Sequence, residues 1–162
     1  MLTPNALVDR LLASQIATRD NIVGCTDDDI RQLECATQCQ LPGAYLRFLR
    51  SIGRGAGCFL RDINIYYPTV LTLNVEARSI LDNWEEGRLV LPANAVVFSI
   101  RQGEQFMFFI ADGNHDDPPI FHYMEDRGEF RKIAESLWDV IEHELELTEQ
   151  VKQEFPDAPC FQ

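Results

Sequence analysis

Hydrophobic and polar positions fall into two rhythms along this chain. From Ala95 to Met124 the period is two. Ala95–Arg101 sets Val96, Phe98 and Ile100 on one side and Val97, Ser99 and Arg101 on the other, which predicts a half-buried strand. Gln105–Ala111 contains Phe106-Met107-Phe108-Phe109-Ile110, apolar at every position, and predicts a strand covered on both faces in the middle of a sheet. Pro119–Met124 predicts a third strand. Gln102-Gly103-Glu104 joins the first two as a hairpin loop, with glycine where positive φ costs little.

On either side of this core the period lengthens to that of a helix. Thr3 and Pro4 read as an N-cap and first helical residue, followed by a stripe of Leu7, Val8, Leu11, Leu12 and Ile16. That helix is expected to reach Thr18 and to break at Asn21–Gly24. Thr26 with Asp29 predicts a capping box, with Cys25 and Ile30 as the hydrophobic staple. Acids in that first turn also suit the positive end of the helix dipole. Leu41-Pro42 should end the second helix. A third carries Tyr45, Phe48, Leu49 and Ile52 on one face and closes at Gly53 as a C′ residue.

Phe59–Tyr67 predicts a strand, with Ile63 and Ile65 alternating against Asp62 and Asn64. Asn74 is the expected cap of a fourth helix bearing Ala77, Ile80, Leu81 and Trp84 and stopped by Gly87. Glu129–Ile133 predicts an edge strand after a turn at Glu125–Gly128. Ser136 with Asp139 caps a last helix that buries Leu137, Trp138, Ile141 and Leu145 and leaves Glu142, Glu144, Glu146 and Glu149 to water. Phe155–Gln162, with two prolines, is expected to trail along the surface.

Length then bounds the picture: 162 residues make one domain, able to bury roughly 68–70% of its unfolded surface. Twenty-six acids against fourteen bases give a net charge of −12, which argues against direct binding to nucleic acid, since that needs a basic footprint. The same charge suits a basic partner or serves solubility alone. Five cysteines without scaffold spacing, no signal-peptide pattern at the start and no apolar run of membrane-spanning length predict reduced thiols in the cytoplasm and no membrane association.

The candidate chemistry is thin. Gly53–Gly57 follows a helix and leads toward strand, the reverse of a phosphate-binding context. Asp112-Gly113-Asn114-His115-Asp116-Asp117 begins like a calcium loop, yet Asp117 stands where the glycine belongs and Tyr123 where the glutamate belongs. Turn chemistry, contact with a partner, or a metal-dependent hydrolase site built on Asp112, His115 and Asp116 are the readings open for this loop. Cys35 and Cys39 lie one helical turn apart, but a structural zinc site needs a second pair of ligands and none is marked. No nucleophile elbow or Cys/His pairing emerges from spacing, and no metal or cofactor is expected.

Taken in order, Gly24 and its capped acidic helix, Leu41-Pro42, the Tyr45…Phe48-Leu49 helix ending at Gly53, then Pro92, an apolar hairpin closed by Ile110-Ala111-Asp112, a strand, and Ile133-Ala134-Glu135-Ser136-Leu137-Trp138 resemble the SUKH superfamily of Smi/Knr-like domains. The resemblance runs from about Gly24 to Leu145. Leu137 and Trp138 depart from it, standing where members often carry a phenylalanine after the serine. It implies a single α+β domain with a mostly antiparallel sheet flanked by helices, here residues 24–150, with a helical extension at 1–23 and a tail at 151–162. It also implies a non-catalytic protein-binding role: bacterial members include immunity proteins that neutralise toxins, often nucleases, and fungal members are regulatory scaffolds. The acidic charge agrees with an inhibitor that occupies a basic toxin surface. Asp112, Asp116 and Asp117 in the long loop, and Glu85 and Glu86 at the end of the fourth helix, are the expected partner-binding residues. The alternatives are a regulatory interaction module and, third, the metal-dependent hydrolase.

Overall fold

Side-chain caps start three of the helices. The computed structural model describes residues 1–83, 89–125 and 127–161. In chain order these form α1 (Pro4–Ala13), β1 (Ile22–Val23), α2 (Asp27–Thr37), α3 (Gly43–Ile52), β2 (Gly55–Ala56), α4 (Leu73–Asp82), β3 (Ala95–Arg101), β4 (Gln105–Ile110), β5 (Ile120–Met124), β6 (Glu129–Ala134) and α5 (Leu137–Glu154). Thr3 Oγ1 accepts from the Ala6 N–H to start α1. Thr26 and Asp29 form the full capping box of α2, and Ser136 Oγ accepts from Asp139 N at 3.0 Å to start α5. The fold is a single α+β domain.

Strands β3 to β6 make one antiparallel meander in the order β3-β4-β5-β6, and β1 pairs with β2 in a separate two-stranded ribbon. The hairpin from Arg101 to Gln105 turns through Gln102 and Gly103, both at positive φ (54° and 72°). Aromatic rings fill the interior. Phe109 of β4 lies 5.2 Å from Tyr45 of α3 and 5.9 Å from Phe98 of β3, and Phe106 stacks on Tyr123 at 4.9 Å. α1 shares this core, with Leu7 and Leu11 fully buried. Arg131, Lys132 and Glu129 line the free edge strand β6, where charge discourages pairing with another sheet.

Several elements differ from their sequence reading. β3 is buried on both faces as far as Ile100 because α4 packs along it, so its alternation does not leave a wet side. Phe59–Tyr67 is a run of turns; among the described residues its only ladder contact is Asn64, whose N–H and C=O exchange bonds of 2.9 and 3.0 Å with Ile100. α1 ends at Ala13, and Ile16 packs from the turn that follows Gln15 at φ 56°. α2 ends at Thr37, ahead of the proline, because Gln38 adopts the left-handed conformation. Cys39 therefore lies beyond the helix, not one turn along it from Cys35. Part of the Asn21–Gly24 break is the short strand β1. Gly53 has φ −60°, so its role is space and not left-handedness: a Cβ there would meet Leu49 O at 2.4 Å and Cys25 Sγ at 2.6 Å. Trp84 and Gly87, read as the end of α4, lie outside the described residues.

Asn74 does not cap α4. A 3-10 turn at Thr69–Leu71 leads straight into the helix, which begins a residue earlier, and Asn74 points inward. Its amide donates to Ala95 O at 2.9 Å and accepts from Val97 N at 2.8 Å, satisfying the outer edge of β3. Asn74→Ala would orphan both buried backbone groups, each costing about 1–3 kcal/mol. Urea unfolding of that variant is expected to show a loss of about 2–6 kcal/mol with an unchanged m-value.

Asp29 holds the α2 cap to the β1–β2 corner. Its carboxylate accepts from Thr26 N at 2.9 Å and receives a bidentate pair from Arg54 at 2.7 and 2.8 Å, with only 5% of the side chain exposed. Arg54 holds this carboxyl far below the usual aspartate range, against the opposing effect of burial. A depressed carboxylate stabilises the fold above the unfolded pKa, about 3.9, and that contribution fades as pH falls through the folded value. Arg54→Met should therefore lower the urea midpoint near neutral pH, and its gap to the parent should close as pH drops below about 4. A gap that stays constant into acid would contradict this assignment.

Candidate functional site

The loop between β4 and β5 is built of carboxylates with different fates. Asp112 Oδ1 accepts from Asn114 N at 2.9 Å, an Asx turn that holds the carboxyl below its usual range, with His115 Nδ1 3.6 Å away. Asp116 docks the loop on α3: its carbonyl accepts from Ala44 N at 2.8 Å and its carboxylate pairs with Arg47 at 2.7 Å. This approach needs Gly43, where a Cβ would meet Asp116 Oδ1 at 2.0 Å. Asp117 turns inward to the start of α5, accepting from Leu137 N at 2.7 Å. Burial pushes its carboxyl up, and the Leu137 and Trp138 N–H groups partly offset that.

Of the loop candidates, Asp112 and Asp116 thus stand exposed, while Asp117 is a half-buried helix cap. Asp112 and His115 are neighbours, but Asp116 points to Arg47. Among the described residues no group of three or more His, Cys, Asp or Glu side chains could share a metal ion. Glu85 and Glu86 lie outside the described residues.

A longer acidic feature continues from this loop. Asp117 feels the charge of Asp139, which is exposed in the first turn of α5. Glu142 and Glu146 follow at helical spacing on the same face. The strip ends against α1, where Arg10 binds Glu149 through bonds of 3.1 and 2.5 Å; that bond, with the charges of Glu149, Glu146 and Glu142, raises the guanidinium's affinity for its proton. Not all α5 acids face water as expected: Glu149 is half-buried under Arg10, and Glu144, 17% exposed, meets Arg101 at 3.5 Å. The sequence signal for the strip was present in Asp139, Glu142 and Glu146 at i, i+3 and i+7, in a helix whose one lysine or arginine is Lys152.

An antiparallel meander joined to α3 and α5 by a carboxylate loop, with acids running down one helix, defines a small acidic α+β domain. Residues 24–143 match the SMI1 / KNR4 family (SUKH-1), and the chain belongs to that family. α1 precedes the matched region and the last turns of α5 follow it. No curated protein matches the sequence. Among the described residues no helix is long and apolar enough to cross a membrane.

Proposed function

We propose that this protein is a non-catalytic immunity protein of the cytoplasm that neutralises a basic, nuclease-type toxin by direct binding. Family membership supports the class, since SUKH proteins include immunity proteins. The observation that carries the reading to this surface is the strip of acids Asp139, Glu142 and Glu146 down α5, at whose start the loop carrying Asp112 and Asp116 is anchored, on a chain of net charge −12. Nuclease domains are basic where they grip phosphates, so such a strip can cover the same cations and steer the encounter. Asp117 contributes by holding the loop against α5 and not by direct contact.

Mixing the protein with a basic toxin domain encoded beside its gene tests the proposal. A one-to-one complex that blocks nuclease activity, and whose affinity falls as salt rises from about 0.05 to 0.5 M, is the expected result. Binding to an endogenous regulatory protein, with no protection of cells against the toxin, would replace it with the regulatory-module reading.

A further inference from the structure

A cleft of about 900 Å³ lies between the turn after α1 and the β1–β2 ribbon. Ile16, Ala17, Gly57 and Tyr66 form its walls, and Cys58, Cys160 and Phe161 its outer rim. A second hollow of about 290 Å³ opens on the other side of that rim, toward Leu147 and Val151 of α5. Cys58 and Cys160 line both hollows, together with Arg61 and Phe161.

Each thiol is held by its backbone. Cys58 sits in a turn anchored by its N–H bond to Ile16 O at 3.1 Å. Cys160 sits in a 3-10 turn, Pro159–Phe161, whose Phe161 packs on the core beneath the Lys152 ammonium, 5.2 Å from the ring. Lys152 also donates to Gln15 O, joining α5 to the turn after α1. The segment after α5 therefore runs along the surface over the cleft. Cys58 and Cys160 lie together in the lining of both hollows, and both thiols are free.

We propose that Cys58 and Cys160 are a redox-responsive pair whose disulfide clasps the C-terminal segment across the cleft. Hydrogen peroxide is the oxidant. The Cys160 thiolate attacks one peroxide oxygen, the O–O bond breaks, and the departing hydroxide takes a proton to become water, leaving a sulfenic acid. The Cys58 thiolate then attacks that sulfur, the S–O bond breaks, and a second water leaves. Two thiols are oxidised and one peroxide is reduced. Cys58, held in its turn by the bond to Ile16 O, is the resolving partner. Cys25, Cys35 and Cys39 line neither hollow and stay outside the exchange.

The full chain is treated with a small excess of peroxide, alkylated and digested with trypsin. Before alkylation, the intact product is expected to be about 2 Da lighter than the reduced protein. It should yield a cross-linked pair, Gly55–Arg61 joined to the peptide that begins at Gln153, lost on dithiothreitol treatment and absent from Cys160→Ser. Amide hydrogen exchange across residues 155–161 should slow at least tenfold on oxidation and recover on reduction. Recovery of the Cys58 and Cys160 peptides singly alkylated or singly over-oxidised would overturn the pairing. A disulfide that leaves exchange at 155–161 unchanged would overturn the clasp.

Discussion

Replacing Phe109 with alanine is expected to destabilise the fold by about 3–5 kcal/mol, the range for emptying a phenylalanine site in a core. Phe109 has no exposed surface and sits where the sheet meets α3, stacked near Phe98 and met edge-on by Tyr45. Those neighbours sit on a strand and a helix that both make other contacts, so they cannot collapse far into the void. A domain of this size has about 5–15 kcal/mol in all, so the variant should be marginal at 37 °C. Urea unfolding followed by fluorescence of the buried Trp138 measures it. Tyr45→Phe is the contrast: its hydroxyl is buried with no partner among the described residues, so losing it should be neutral or stabilising. A Phe109→Ala cost below about 1 kcal/mol would mean that the α3–sheet contact is not the centre of the core.

What the sequence discloses about this fold divides by range. Caps are local, and Thr3, Thr26 with Asp29, and Ser136 each start a helix as their spacing implies. The hairpin at Gly103 and the interior place of β4 are equally near-neighbour facts. Most of the misreadings come from distant partners. Asn74 resembles a cap because asparagine favours caps, yet it is recruited by the open edge of β3. Phe59–Tyr67 alternates like a strand, but only Asn64 finds a sheet partner. Gly53 is fixed by the approach of Cys25 from another element. The same holds at the surface. Asp112 is read correctly as a turn residue because its partner is two residues away. The fate of Asp116 depends on Arg47, that of Asp117 on the α5 N-terminus, and that of Glu144 and Glu149 on arginines from β3 and α1.

The double reversal Glu142→Lys/Glu146→Lys is expected to slow association with a basic toxin domain about ten- to hundredfold at low ionic strength, the scale of electrostatic steering. The two side chains lie on successive turns of one helix face, beside Arg10, so lysines there would place three cations together in the middle of the strip. Stability should change little, because neither carboxylate holds a buried partner. Glu76→Lys/Asp82→Lys on α4 is the matched control: both positions are exposed, and the net charge rises by the same amount. If steering comes from the strip, the α4 variant keeps most of its association rate while the α5 variant loses it. The difference should shrink near 1 M salt, where charges more than about 3 Å apart are screened. Dissociation rates separate encounter from contact, since rim charges act mainly on association. Equal slowing of both variants would trace the effect to overall charge and remove α5 from the binding surface, leaving Asp112 and Asp116 as the acids to reverse next.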